Sequence, residues 1–230
     1  MSAALSGSLV DEMMNGLTKR GAAVLPWGLV QDLDSPLLWE AVEALRPAAG
    51  EGRRQVPVRR MFGAWSPEAL EELGLEVGTT LRRVVGALAG ELQQVAQRLA
   101  DSGLIPADLL QQEVSWSSIV ARWDASEAQR LPMHADWELL SFVVSPDGGL
   151  EFEVGEGPRG PATVLVAGNL LGRYSGSTIS PATHAVGPGG KRRSLMTFFL
   201  GNPEACWGHG RLGCTCSPTL RATMERHYLD

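Results

Sequence analysis

Two histidines and one aspartate in this chain have the residue types and the spacing of a metal site. His134 and Asp136 are separated by one residue, and His184 follows Asp136 by 48 residues. Alternate side chains of an extended strand share a face, so His134 and Asp136 are expected to point at one metal ion. Two imidazoles and one carboxylate suit a non-haem Fe(II) ion, because they bind one face of the metal and leave the other open.

A second group of polar residues, downstream of His184, is suited to bind a carboxylate. Arg192 and Ser194 stand eight and ten residues after His184. In a strand these two side chains share a face, whereas Arg193 points to the opposite face and is predicted to lie at the surface. A guanidinium beside a hydroxyl offers several hydrogen-bond donors, so Arg192 and Ser194 are predicted to receive a carboxylate.

The front half of the chain is predicted to be mainly helical, after one early strand. The apolar run at 22–27 favours a strand, and a Ser-Pro pair supplies an N-cap and a first-turn proline for a helix over about 35–45. Ser66-Pro67-Glu68 repeats this start signal. Apolar residues then recur at helical spacing from Leu81 to Leu99, and Gly103 marks the predicted end of that helix.

The back half of the chain changes to a strand pattern from about Ser117. Short apolar stretches are separated by turn sequences rich in glycine and proline at 146–149, 155–158 and 187–190. Helices packed against a closed β structure are the simplest architecture that accommodates both halves.

In this order and spacing, the motifs resemble those of the Fe(II)/2-oxoglutarate-dependent dioxygenases. The resemblance is strongest to the branch that contains isopenicillin N synthase and the plant 2-oxoglutarate oxygenases, and it covers roughly residues 115–203. The matching segments are, in chain order, His134–Phe142, Gly148–Phe152, Ala162–Leu171, Thr183–Val186 and Arg192–Phe198.

The resemblance implies an α+β, mainly β fold with a double-stranded β-helix core, a cupin-like jelly roll, and flanking N-terminal helices. The 230 residues, of which 44% are hydrophobic, fit a single domain with its own core. We expect one domain over 1–230, with a helical front and early strand at 1–114, the jelly-roll core and metal site at 115–203, and a C-terminal tail at 204–230.

The same resemblance implies roles for the site residues. His134, Asp136 and His184 would hold Fe(II), while Arg192 would pair with the distal carboxylate of 2-oxoglutarate and Ser194 would add a hydrogen bond. Dioxygen would be the oxidant, and a small-molecule substrate would be oxidised, above all hydroxylated, with release of succinate and CO2. Since Asp136 fills the position that halide takes in related halogenases, hydroxylation, desaturation or ring formation is favoured over chlorination.

Two residues depart from the pattern of the family. Trp123 lies in a segment where the plant enzymes usually carry tyrosines, and its indole can donate a hydrogen bond but cannot accept one. Asn169 stands where aspartate is common. Arg59, Arg60 and Phe62 are predicted to lie in an irregular segment, either covering the mouth of the barrel or forming an ordinary exposed loop.

Two alternative functions remain open at this point. One is an oxidase similar to isopenicillin N synthase, which uses Fe(II) and dioxygen without 2-oxoglutarate; Arg192 and Ser194 would then bind the substrate's own carboxylate. The other is a non-catalytic barrel that serves as a binding module.

Composition and charge favour a cytoplasmic enzyme with a small-molecule substrate and leave the oligomeric state open. The net charge of −6 argues against a nucleic-acid partner, which would require a basic surface. The sequence contains no run of about 18 apolar residues and no signal-peptide pattern at the N-terminus, so no membrane partner is expected. Three cysteines, an odd number, suit a reducing compartment better than a disulfide framework.

The C-terminal tail carries a separate cluster of metal-binding residue types. Cys206, His209, Cys214 and Cys216 form a Cys-x2-His-x4-Cys-x-Cys pattern, and structural zinc sites use four such ligands. The spacing matches no common zinc finger, so free thiols in a glycine-rich tail are the alternative interpretation.

Overall fold

The computed structural model of the chain describes most of the region between residues 7 and 201. The described ranges are 7–27, 33–45, 53–61, 64–65, 74–110, 115–123, 131–153, 157–158, 160–187 and 192–201.

Four helices and ten strands make up the described part of the chain. The helices are α1 (Gly7–Arg20), α2 (Pro36–Ala44), α3 (Leu75–Asp101) and α4 (Asn169–Tyr174), with a 3-10 turn at Ala107–Leu110. The strands are β1 (Ala22–Leu25), β2 (Arg53–Met61), β3 (Ala64–Trp65), β4 (Ser115–Trp123), β5 (Leu131–His134), β6 (Leu140–Ser145), β7 (Leu150–Phe152), β8 (Ala162–Ala167), β9 (His184–Val186) and β10 (Arg192–Gly201).

The strands form two antiparallel sheets arranged as a jelly roll. The larger sheet has seven strands in the order β1-β8-β6-β10-β4-β2-β3, and the smaller has three in the order β5-β9-β7. Chain neighbours such as β5 and β6 lie in different sheets, so the chain crosses repeatedly between them. This wrapping brings residues far apart in sequence to the same end of the barrel.

In the larger sheet, strands β1, β4, β6, β8 and β10 present alternate side chains to two different cores. One face packs against the apolar stripe of α3, and buried residues on both sides, such as Phe142 and Leu165 on the sheet and Leu88 on the helix, share one cluster. The opposite face points into the barrel and carries Trp123 and Met196. Burial of the helix-facing side chains stabilises the larger sheet. Polar residues can therefore occupy positions on its inner face without the sheet depending on them for stability.

The two helices predicted at 35–45 and 81–99 are confirmed. Pro36 occupies the first turn of α2, and Ser35 makes no side-chain cap there. The end of α3 follows the predicted glycine signal: Gly103 has a positive φ of 71°, and the backbone N–H of Leu104 returns to the carbonyl of Leu99. This helix begins at Leu75, and the predicted start at Ser66-Pro67-Glu68 lies outside the described residues.

The front half also contains structure that the sequence pattern did not predict. Arg59 and Arg60, predicted to be irregular, lie in β2, which pairs antiparallel with β4 from Arg53 to Arg60. Phe62 lies outside the described residues. The prediction was wrong because arginine is not typical of strands, whereas long-range pairing with a preformed neighbour overrides local propensity. Helix α1 was likewise missed.

Within the described ranges, no helix is long and apolar enough to span a membrane.

Candidate metal centre

Pairing between β5 and β9 brings the two predicted histidines together. His134 is the last residue of β5, His184 is the first residue of β9, and the two are direct cross-strand partners. Such partners point to the same side of a sheet, and the centroids of the two imidazole rings are 4.6 Å apart. His184 is buried, whereas His134 is partly open to solvent.

Asp136 joins the histidines from a turn rather than from a strand. Strand β5 ends at His134, so the prediction that strand alternation would align Asp136 with His134 was wrong about the local structure. Asp136 lies two residues past the end of β5, immediately before the bend at 137–139, and its carboxylate faces the two imidazoles. Oδ1 of Asp136 lies 3.6 Å from Nε2 of His134 and 3.7 Å from Nε2 of His184.

The three side chains have the geometry of a set that could hold a metal ion, and their ligand atoms all lie within 4.8 Å of one another. Nδ1 of His134 is 2.9 Å from the carbonyl of Pro132, and Nδ1 of His184 is 3.1 Å from the carbonyl of Ala182. Because a carbonyl only accepts, each Nδ1 must carry the hydrogen. The lone pair of each neutral ring is therefore on Nε2, facing Asp136, which is the tautomer a metal ligand requires.

The electrostatic environment keeps the Asp136 carboxyl ionised. Burial alone would raise its pKa, but interactions with His134, His184 and Ser141 outweigh burial and hold the pKa of Asp136 below its ordinary value. The carboxylate in turn raises the pKa of His134. The negative charge of the Asp136 carboxylate is buried between the imidazoles of His134 and His184. A divalent cation bound there would compensate this charge.

Ser141 orients the carboxylate from the neighbouring strand β6. Its hydroxyl donates a 2.5 Å hydrogen bond to Oδ2 of Asp136, which leaves Oδ1 directed at the two histidines. Neither Ser141 nor its hydrogen bond was singled out from the sequence, because the residue reads as one polar position in an apolar strand.

Replacement of Ser141 with alanine should weaken metal binding by about tenfold, since the groups that orient metal ligands usually contribute at least that much. Titration of the metal-free protein with Co(II), followed by its visible absorbance, measures the change. Ser145→Ala is the matched control: Ser145 lies in the same strand but donates to the carbonyls of Gly148 and Arg193. Equal affinities in both variants would contradict the role of Ser141.

The turn after Asp136 contains a second buried carboxyl, on Glu138, which was also missed from the sequence. Glu138 is 3% exposed. Burial, and then the negative charge of Asp136, raise its pKa to about 8. In the metal-free chain, Glu138 is therefore mostly protonated at neutral pH.

Glu138 should make the stability of the metal-free protein depend on pH. A carboxyl with a raised pKa holds its proton more tightly when folded, so stability falls as pH rises from about 4.5 to about 8. Glu138→Gln removes the ionisation, and the variant should lose less stability over this window than the wild type. Urea denaturation of both proteins at several pH values measures the difference; parallel curves would contradict the prediction.

The start of α4 holds the metal-binding turn from its backbone side. The side-chain amide of Asn169 donates to the carbonyls of Ala135 and Asp136, at 3.3 and 3.0 Å, and its backbone N–H also bonds the Asp136 carbonyl. Gly168 permits this approach, because a Cβ there would overlap the carbonyl oxygen of Glu138. Asn169, a departure from the family pattern, is therefore a structural partner of the turn that carries Asp136.

Of the two predicted carboxylate-binding residues, Ser194 lies inside the barrel. Ser194 and Trp123 are buried and line a narrow inner cavity together with His184. The indole N–H of Trp123 donates to Oγ of Ser194 over 3.3 Å. Arg192 begins β10 and pairs with Trp123 through the backbone, while its side chain lies outside the described part of the chain.

Arg193 points away from Ser194, as strand alternation predicted, but it is not a free surface residue. Its guanidinium makes an ion pair with Asp147 at 2.8 Å and lies 5.9 Å from the centre of the Trp39 ring. The side chain of Arg193 is 26% exposed, so it lies at the surface as predicted, where its guanidinium also donates to the carbonyl of Trp39 in α2. Cys206, His209, Cys214 and Cys216 lie outside the described residues.

Comparison with solved structures confirms the predicted α+β fold with a double-stranded β-helix core. A full-length protein from Neurospora crassa, in complex with alpha-KG and 5-formyluracil, has a TM-score of 0.67 and 16% identity, over 85% of this chain and 79% of that one. Dioxygenase for auxin oxidation 1 from Arabidopsis thaliana, in complex with 2-oxoglutarate, has a TM-score of 0.64 and 16% identity, over 87% and 91%. The rice dioxygenase for auxin oxidation has a TM-score of 0.63 and 18% identity, over 86% and 80%. No family model and no curated protein sequence matches the chain.

Proposed function

We propose that this chain is an Fe(II)- and 2-oxoglutarate-dependent dioxygenase that oxidises a small molecule, most readily by hydroxylation, and releases succinate and CO2. One observation carries the proposal: His134, Asp136 and His184 converge at one end of a jelly roll whose solved structural neighbours include oxygenases in complex with alpha-KG or 2-oxoglutarate. One fold can serve many functions, so the three converging side chains indicate the chemistry here more specifically than the fold does.

The metal ligands are Nε2 of His134, Nε2 of His184 and the Asp136 carboxylate. Two imidazoles and one carboxylate bind Fe(II) on one face and leave positions for other ligands. When bound, Fe(II) with 2-oxoglutarate and dioxygen supplies the oxidising chemistry, and the protein supplies position and environment. Backbone carbonyls fix both rings, and Ser141 fixes the carboxylate, so the ligands are already oriented before the metal arrives.

The inner cavity is the proposed seat of 2-oxoglutarate. Its volume is about 20 Å³, room for about one water molecule, so the cavity has to widen to admit the cosubstrate. Because Trp123 donates its N–H to Oγ of Ser194, the hydroxyl hydrogen of Ser194 is free to donate to a carboxylate. Arg193 is held by Asp147 on the other face of the strand, which leaves Arg192 as the cation for the distal carboxylate. Trp123 thus takes the supporting place that a tyrosine has in the plant enzymes.

The named ligands of the structural neighbours favour a small molecule as the substrate. The Neurospora crassa protein was solved with alpha-KG and 5-formyluracil, and also with alpha-KG and thymine. A cytoplasmic location and a zinc site in the tail both stay predictions from the sequence.

The direct test is succinate production by the purified protein with Fe(II), ascorbate and 2-oxoglutarate, beside an Asp136→Ala control. Enzymes of this kind are expected to consume 2-oxoglutarate slowly without their substrate, so succinate from the wild type and none from the variant would support the proposal. If there is neither succinate nor binding of 2-oxoglutarate under anaerobic Fe(II), the proposal fails. An oxidase without cosubstrate or a binding module would then take its place.

A further inference from the structure

A second cavity, of about 210 Å³, lies at the metal end of the barrel and is separate from the inner cavity around Ser194. We refer to it as the outer cavity. It is open to solvent on one side and is bordered by the last turn of α1, the end of β7 and the segment that leads into β9. Its polar and aromatic walls come from Thr18, Lys19, Arg20, Phe152, Glu153 and Thr183.

The topology of the smaller sheet explains why the outer cavity adjoins the metal centre. Its strands are antiparallel, so the end of β5, the start of β9 and the end of β7 meet at one edge of the barrel. Phe152 is the cross-strand partner of His184, and the centroids of their two rings lie 6.1 Å apart. Phe152 therefore belongs both to the wall of the outer cavity and to the surroundings of His184.

One short segment separates the two cavities. Ala182 and Thr183 line the outer cavity, whereas His184 and Val186 line the inner one. None of the three metal ligands lines the outer cavity, but Phe152, which does, lies beside His184. If the inner cavity holds 2-oxoglutarate, as proposed above, the outer cavity is the space left for the substrate. This step rests on the proposed function.

The charges on the wall of the outer cavity indicate the chemical class of its ligand. Lys19 and Arg20 provide two cations, and Glu153 provides one anion. Both cations also suit the negative end of the α1 dipole, and both residues are exposed on the wall of the cavity, where they can meet a ligand. The volume is below the roughly 300–1,000 Å³ of sites for drug-sized ligands, which favours a compact molecule.

We propose that the outer cavity binds the primary substrate and that this substrate is a small molecule with a carboxylate, which Lys19 and Arg20 bind. A single negative charge fits this wall better than a doubly charged phosphate, because Glu153 repels additional negative charge. Phe152 then contacts the apolar part of the substrate, between its carboxylate and the metal centre.

The test compares three probes of equal length that differ in charge: pentanoate, 1-pentanol and pentylamine. Dissociation constants are measured by saturation-transfer NMR on protein that carries Fe(II) and saturating 2-oxoglutarate under anaerobic conditions, so the inner cavity is filled. The variant is the double replacement Lys19→Gln and Arg20→Gln. The matched control removes two exposed arginines of α3, Arg83→Gln and Arg98→Gln, which changes the net charge equally.

Pentanoate should bind the wild type and the control at least tenfold more tightly than either other probe, and this preference should vanish in the double variant. Equal binding of the three probes, or a preference that survives in the double variant, would overturn the proposal. Binding of 2-oxoglutarate to the wild type is measured in the same samples. Its absence would count against the proposed function, while the double variant still reports on the outer cavity.

Discussion

Replacement of His184 with alanine should lower metal affinity by more than about 100-fold and abolish succinate production. Changes to groups that merely orient a ligand already cost about 10–100-fold, and this change removes a ligand. His184 is also the more buried of the two histidines.

Free imidazole should partly restore metal binding to His184→Ala. The lost ring leaves a hole of its own shape beside the inner cavity, which His184 lines. Millimolar imidazole is needed, because a free ligand loses translational and rotational freedom that a side chain has already lost. Asp136→Ala is the control, since imidazole cannot replace a carboxylate. Co(II) titrations with and without imidazole give both affinities, and rescue of both variants, or of neither, would contradict the proposed ligand roles.

The residues of the metal centre could be predicted because they alone carry distinctive chemistry. His134 and His184 are two of only four histidines in the chain, and Asp136 is separated from the first of them by one residue. The two histidines lie at strand ends, and two antiparallel strands in the correct register bring such ends together. The glycine-rich turns between short apolar stretches indicate in the sequence where the strands end. The cross-strand contact of His134 with His184 follows from that register.

The supporting residues could not be predicted, because their roles depend on contacts made by folding. Ser141 and Glu138 stand in an ordinary apolar run, and nothing in that run indicates that one orients Asp136 while the other is buried. Arg193 behaves similarly: its direction followed from alternation, but its partner Asp147 lies 46 residues earlier. Local patterns specify faces of strands, whereas the partners across those faces come from tertiary structure.

Strand β2 shows the same limit at the scale of a whole element. Its sequence, Arg-Arg-Gln-Val-Pro-Val-Arg-Arg-Met, has four arginines and a proline, none typical of a strand. Pairing with β4 nevertheless makes it part of the larger sheet. The front half therefore contributes further strands to the larger sheet, in addition to the early strand and the helices that its sequence pattern predicts.

The turn at 135–139 is the element on which the metal centre depends most, and Asn169 should be essential to it. Asn169→Asp preserves size and shape but replaces the donating amide with a carboxylate, which can only accept. That carboxylate would face the carbonyl oxygens of Ala135 and Asp136, two acceptors now held by the amide. We expect metal affinity to fall by about 10–100-fold, because the turn can no longer hold Asp136 in place.

Comparison of three variants separates repulsion from simple loss of support. Asn169→Ala loses the two hydrogen bonds without adding a charge, so its Co(II) affinity should lie between those of the wild type and Asn169→Asp. Asn15→Asp makes the same chemical change at an exposed position of α1 and should leave the affinity unaltered. If Asn169→Asp bound Co(II) as tightly as the wild type, the turn would be held by its backbone contacts with α4 alone. The expected order of Co(II) affinities is wild type, then Asn169→Ala, then Asn169→Asp. This order follows if the amide of Asn169 fixes the position of the Asp136 carboxylate by holding the carbonyls of Ala135 and Asp136.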